Sequence, residues 1–194
     1  MEHIRNIIMG ELKLSEEHFE RFIGSGKMID LPKKEFLIKA GTTCTFIGFV
    51  EEGVLRSFFQ KGGDEFNLDF YLSASFVSAY TSFLTQLPTH GSIQALADSR
   101  VFLVSHAAYH ELLREDDSWY RLGKYLSDSL FIRKCRREAS LLVDSALERH
   151  RLLLQAYPTI EQLVPQYHIA SYLGIQPESL SRIKSLTYIK EQVR

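Results

Sequence analysis

The chain has 194 residues, 45% of them apolar and 24% charged, and a formal net charge of −1. That length suits one large domain or two small ones, and the composition excludes a disordered or membrane-embedded chain. There is no global basic signature, but the charge is uneven. Residues 1–116 hold 11 Lys/Arg against 16 Asp/Glu, while residues 117–144 and 145–194 each hold 6 against 4.

Residues 1–25 read as helix. Ile4, Ile7, Ile8 and Leu12 recur at helical spacing, and Ser15 opens a second short helix with Glu16 and Glu17 in its first turn. The start, Met1-Glu2-His3-Ile4-Arg5-Asn6, is charged and lacks the apolar core of a signal peptide. No stretch reaches the length of a membrane span. Cys44 and Cys135 lie far apart with no CxxC spacing, so neither a zinc site nor a cysteine-bound cluster can be built from them. Reduced thiols and a cytoplasmic location are the expectation.

Residues 27–105 change character. Short apolar runs alternate with turn signals: Lys34–Lys39, Phe46–Val50, Val54–Phe59, Phe66–Tyr71, Ser92–Leu96 and Arg100–Ser105. Such spacing predicts a sandwich or jelly roll. Phe76–Leu84 reads as a short helix between strands. From Ala107 onward everything is helical. Tyr109–Glu115 is short, and Trp119 to Ser140 is long, with Leu122, Leu126 and Leu130 at four-residue intervals. A long helix after a barrel has little of its own domain to cover it. A partner helix is the natural cover, which predicts a homodimer through this element. Arg133, Lys134, Arg136 and Arg137 in its later part read as a solvated face. A further helix spans Ala146 to Ala156, ended by Pro158.

Residues 169–183, Ile-Ala-Ser-Tyr-Leu-Gly-Ile-Gln-Pro-Glu-Ser-Leu-Ser-Arg-Ile, are the most informative run. Ile169, Ala170 and Leu173 share one helical face, and the small Ala170 lets a second helix cross close above it. Gly174 follows where the chain must turn and positive φ is cheapest for glycine. Ile175 plugs the corner. Pro177 suits the first position of a second helix, and Glu178 suits the positive end of its dipole. Leu180 and Ile183 point back, leaving Gln176, Glu178, Ser179, Ser181, Arg182 and Lys184 outward, able to meet base edges and phosphates. This pattern predicts a helix-turn-helix, with the second helix bound for a DNA major groove. An acidic front and a mildly basic back suit a sensor joined to a DNA reader.

Jelly roll, long helix and helix-turn-helix, in that order, resemble the Crp–Fnr family of bacterial transcription regulators. The resemblance covers nearly the whole chain. It rests on Gly53-Val54-Leu55-Arg56, Phe76-Val77-Ser78-Ala79-Tyr80, Ile93-Gln94-Ala95-Leu96 and, most specifically, Ile169–Ile183. It implies an α+β protein with a sensory domain over 1–116, a dimerisation helix over 117–143 and a DNA-binding domain over 144–194. It also implies double-stranded DNA and RNA polymerase as partners and a small-molecule effector. Gln176, Glu178, Ser179 and Arg182 fall at base- or phosphate-contacting positions, and Gln166 falls at a phosphate-contacting one. Lys184 and Lys190 add phosphate affinity. Pro177 stands where some members carry a guanine-reading arginine, so the operator should differ there. Leu186–Arg194 is too short for the hairpin wing many members carry.

The effector pocket that the resemblance implies comprises Phe76, Val77, Ser78, Tyr80, Thr89, His90 and Gly91. Members that bind cyclic nucleotides carry Phe-Gly-Glu and then Arg followed by Ser or Thr. Here Val77 replaces the glycine, Ser78 the glutamate, Thr89 the arginine and His90 the hydroxyl residue. A buried phosphodiester without a cation is costly by several kcal/mol. An effector other than cyclic AMP is therefore expected. The alternative is a small-molecule binding module that has lost DNA binding.

An enzyme is not expected. A cupin-type metal site needs clustered His with a carboxylate, and His3, His18, His90, His106, His110, His150 and His168 are scattered. His106 and His110 share a helical spacing but read as surface residues. No Gly-rich phosphate loop, nucleophile elbow or Cys–His signature occurs, and no cofactor or metal is implied.

Overall fold

The computed structural model describes the backbone of residues 1–191 and the side chains of residues 1–185. Helix α1 (Glu2–Arg5) runs into a π-helical turn, Asn6–Glu11. Helix α2 (Glu16–Gly24) follows, capped by the Ser15 hydroxyl, which accepts from the His18 amide. Eight strands come next: β1 (Gly26–Leu31), β2 (Phe36–Ile38), β3 (Phe46–Glu52), β4 (Val54–Lys61), β5 (Asp64–Leu72), β6 (Phe76–Val77), β7 (Ser92–Ala95) and β8 (Ser99–Ser105). Helix α3 (Tyr80–Thr85) lies between β6 and β7.

The strands form two four-stranded antiparallel sheets, ordered β1-β8-β3-β6 and β2-β7-β4-β5. Neighbours in sequence such as β1 and β2 lie in opposite sheets, the wrapping expected of a jelly roll. Alternation decides the inside. In β7, Ile93 and Ala95 are buried while Ser92 and Gln94 are half-exposed. Phe49, Val50, Leu55, Val77, Phe83, Val101 and Phe102 form the core between the sheets. Gly53 takes φ +101° at the β3–β4 turn, where a Cβ would meet the Ser99 Cα at 2.7 Å.

Two strands escape the sequence pattern. Gly26–Leu31 has only Leu31 buried, so no alternation marks β1. Phe76–Val77, expected within a helix, instead pairs with Phe49 and Gly48, and the helix begins only at Tyr80.

After β8 come α4 (His106–Glu115), α5 (Tyr120–Val143) and α6 (Ala146–Ala156), the last opened by a capping box of Ser145 and Glu148. Then α7 (Ile160–Leu163), α8 (Gln166–Leu173) and α9 (Pro177–Glu191) complete the described chain. The predicted seam of α5 needs correction. Leu122 and Leu126 are buried in the jelly-roll core, not presented to a partner. Apart from Tyr120 at its start, its exposed large apolar side chains lie in the second half: Phe131 at 68%, Ile132, Leu141, Leu142 at 80% and Val143. The solvated basic face holds for Lys134 and Arg136, which are exposed, but not for Arg133 and Arg137. Arg133 bonds Asp69 at 3.0 Å, and Arg137 donates to the Asn67 and Tyr172 carbonyls at 3.2 and 2.6 Å. Both turn inward because buried β5 carbonyl and carboxylate oxygens need donors. Burial pushes the Asp69 carboxyl up in pKa, against the pull of Arg133 and Arg137.

A second core joins the two ends of the chain. Val54 and Phe70 of the jelly roll pack with Leu153, Ile160, Val164, Ile169, Ala170, Leu173 and Leu180. The jelly roll and the terminal helices thus share buried surface instead of meeting through a linker alone.

Candidate effector pocket and nucleic-acid interface

A cavity of about 370 Å³ opens where α3 and the loop after it face β4, β5 and β7. That volume suits a small metabolite. Its wall is rich in hydroxyls: Ser78, Tyr80, Thr81, Ser82, Thr85, Thr89 and Ser92. Tyr71, Leu68, Phe59 and Ile93 supply apolar surface. Several hydroxyls are already engaged. Ser78 donates to the Phe46 carbonyl at 3.0 Å, and Ser82 accepts from the Cys44 amide at 2.9 Å. Thr89 Oγ1 accepts from the Gly91 amide at 3.2 Å, which shapes the loop. At Gly91 a Cβ would sit 3.1 Å from the Phe59 ring and 3.2 Å from the Phe58 carbonyl, so the bare backbone lets the loop lie against β4.

Of the predicted pocket residues, Ser78, Tyr80, Thr89, His90 and Gly91 line this cavity. Phe76 and Val77 do not. Val77 is fully buried, and Phe76 packs edge-on against Phe49 at 5.2 Å and against Tyr125. Their assignment followed an aligned loop-and-helix cassette, but β6 turns both side chains away from the cavity. Sequence reasoning missed Lys134, which reaches the cavity wall from α5 and is its one lysine or arginine among the described residues. The only signal available was its place in a basic helix, which gave no direction.

At the other end, α8 and α9 meet as predicted. Gly174 takes φ +69°, and the Ile175 amide bonds back to the Ala170 carbonyl at 3.0 Å. The Gln176 carbonyl accepts from Ser179 and Leu180, and Pro177 begins α9. Ile169, Ala170, Leu173 and Leu180 are buried where the helices cross. Gln166, Gln176, Glu178, Ser181 and Arg182 are exposed.

Two expected outward residues are only partly exposed. Ser179 is half-buried. Lys184 pairs with Glu161 of α7 at 3.1 Å, and Glu161 also meets His150 of α6 at 3.1 Å. Burial pushes the Glu161 carboxyl up, but these two partners outweigh it and leave the pKa lowered. Lys184 therefore braces the helical unit. The tail expected over Leu186–Arg194 continues α9 to Glu191, while the side chain of Lys190 lies outside the described residues.

Between the two sites, Arg56 of β4 is only 4% exposed. Its guanidinium donates to Glu65 at 2.5 Å, to Gln94 at 2.8 Å and to Asn67 at 3.3 Å, and meets His168 Nδ1 of α8 at 3.0 Å. Ser171 of α8 accepts from the Asn67 amide and donates to the Glu65 carbonyl. Burial and the Arg56 charge lower the His168 pKa to about 4. The ring is neutral at neutral pH, and its Nδ1 accepts the hydrogen bond that the guanidinium donates.

Residues 28–116 match the cyclic nucleotide-binding domain family. That domain covers the strands, α3 and α4 but stops before the long helix. Across nearly the whole chain the fold is that of several solved proteins, among them gene regulators. FixK2 from Bradyrhizobium japonicum is 17% identical, with a TM-score of 0.74 over 86% of each chain. CLP from Xanthomonas campestris, described as a c-di-GMP-responsive global regulator, is 16% identical, with a TM-score of 0.69 over 91% of this chain and 93% of that one. A transcriptional regulator of the crp/fnr family from Eubacterium rectale is 15% identical, with a TM-score of 0.69 over 92% of this chain and 85% of that one. At these identities the likeness shows the fold. No curated protein matches the chain. Among the described residues, no helix is long and apolar enough to cross a membrane.

Proposed function

We propose that the chain is a DNA-binding transcription regulator of the Crp–Fnr type, built as a sensory domain over 1–116, a dimerisation helix over 117–143 and a DNA reader over 144–194. The observation that carries this reading is the α8–α9 crossing. A left-handed Gly174 turn presents exposed Gln176, Glu178 and Arg182 on a helix free to enter a major groove. Gln166, exposed at the start of α8, would contact a phosphate. Two copies joined through the second half of α5 would read a palindromic site, half-sites about one helical turn apart, and engage RNA polymerase.

The effector reading follows from the cavity's chemistry. Hydroxyls and apolar surface suit a small polar molecule. Among the described residues its one lysine or arginine is Lys134, which reaches in on a long flexible stem from another element. A cyclic phosphodiester needs a fixed cation, so an effector other than cyclic AMP is favoured. The effector acts by shifting the balance between two poses of the reader.

The test is selection from a random duplex library at two salt concentrations. The expected result is an enriched inverted repeat whose affinity falls steeply with salt. Arg182→Ala should weaken binding to that repeat by ~1–3 kcal/mol while leaving non-specific binding nearly unchanged. A folded dimer that enriches no motif, with or without added nucleotides, would replace this reading with a small-molecule module.

A further inference from the structure

Helix α4 opens with His106-Ala107-Ala108-Tyr109-His110. Four-residue spacing stacks the two imidazoles on one face of a 10-residue helix. Their Nε2 atoms lie 3.1 Å apart and their ring centroids 4.3 Å apart. A metal ion bound by two imidazoles at ~2.0–2.1 Å holds the two nitrogens ~3.3 Å apart at a tetrahedral angle and ~2.9 Å apart at a right angle. The observed separation lies between these values, and the contact is itself a ring-to-ring hydrogen bond, so an ion takes the place of the shared proton once both rings turn their lone pairs to a common point. Packing limits their swing, since His106 lies edge-on to buried Phe83 at 5.0 Å and Tyr109 sits against His110 at 5.5 Å.

We propose that His106 and His110 form a two-ligand site for a divalent ion of the nickel–copper–zinc group. Imidazole suits these ions, and the spacing is that of helical His pairs in zinc enzymes. Ala107 stands where such enzymes carry a glutamate base, so the site binds an ion and does not hydrolyse. Among the described residues no third His, Cys, Asp or Glu completes a cluster, which leaves the remaining positions to water or to a donor from outside. Arg114, one turn further on, opposes a dication and moderates affinity. Phe83 belongs to α3, whose Tyr80, Thr81, Ser82 and Thr85 wall the effector cavity. An ion that pins His106 thus pins the ring on which that wall leans. The site stands whether or not the chain reads DNA.

The experiment titrates chelator-stripped, full-length protein with Ni²⁺ and Zn²⁺, followed by calorimetry and by the histidine ring resonances. A Cys135→Ser background removes the exposed thiol as a competing ligand. The expected result is one ion per chain, with shifts at the His106 and His110 rings. Binding should weaken at least ~10-fold in His106→Gln or His110→Gln, because even loss of an outer partner costs that much. His3→Gln should change nothing. No ion uptake, or uptake unaltered in the His106→Gln/His110→Gln double variant, would overturn the proposal.

Discussion

Gly53 and Gly174 both sit at positive φ, yet a methyl group meets different neighbours at each. At Gly174 an added Cβ would meet only the Leu141 side chain, at 3.6 Å. Gly174→Ala should therefore cost little beyond its left-handed backbone, ~1–2 kcal/mol. At Gly53 the added carbon meets Ser99 backbone, which cannot give way. Gly53→Ala should cost clearly more, and paired denaturant titrations of the two variants would show the order. A loss at Gly174 as large as that at Gly53 would mean the helix crossing is tighter than its geometry implies. Gly174 was legible in the sequence because small, turn and apolar positions all agreed around it. The partner of Gly53 was not, since Ser99 is distant in sequence and is brought there only by the pairing of β8 with β3. Lys184 was misread for a related reason. Helical periodicity says which residues share a face, but the short α7 that covers this one carries too few apolar residues to announce itself.

Helix α5 has two characters along its length. Its first half buries Leu122 and Leu126 in the jelly roll, and its second half exposes Phe131, Ile132, Leu142 and Val143. Cys135 lies exposed between them. If a second copy covers this surface, Phe131→Asp or Leu142→Asp should weaken self-association at least ~10-fold without loss of fold, whereas Leu126→Asp should unfold the jelly roll, since an unpaired buried carboxylate is costly. Sedimentation with parallel melting curves separates the cases. Mild oxidation should trap a disulfide-linked dimer that Cys135→Ser abolishes. Regular leucine spacing gave the existence of the helix but not the partner of each face. Leucines at four-residue intervals fit a coiled-coil seam and a domain core equally well, and only the jelly roll beside them decides. The strands show the same limit. Runs bounded by Gly and Lys were readable, but β6 exists only because Gly48 and Phe49 are there to pair with it.

At the scale of the molecule, the jelly roll and α8 are docked through Arg56, His168, Glu65 and Asn67. The His168 pKa falls from 6.5 to about 4 in the docked state. Above its ordinary value the ring is neutral whether docked or free. Below it, the free ring takes a proton that the docked ring, facing Arg56, refuses. Docking should thus be at full strength near neutral pH and weaken as pH falls from ~6.5 towards 4, by on the order of 1–2 kcal/mol near pH 5. Amide exchange of α8 at about pH 7 and about pH 5 would show it as lost protection. His168→Gln should flatten that dependence, and an unchanged pH response in this variant would place the sensitive group elsewhere.

Strand β5 carries a bulge. Ser57 faces Asp69 and Phe58 faces Asn67, so Leu68 has no opposite residue, and it lines the cavity. Its neighbours Asn67 and Asp69 hold α8 and α5 respectively. A molecule pressing on Leu68 therefore pushes on a ribbon one peptide thick whose flanking residues grip α8 and α5. Such a device works like the diaphragm of a gauge, in which displacement on one side is displacement on the other, with no train of intermediate parts to lose it.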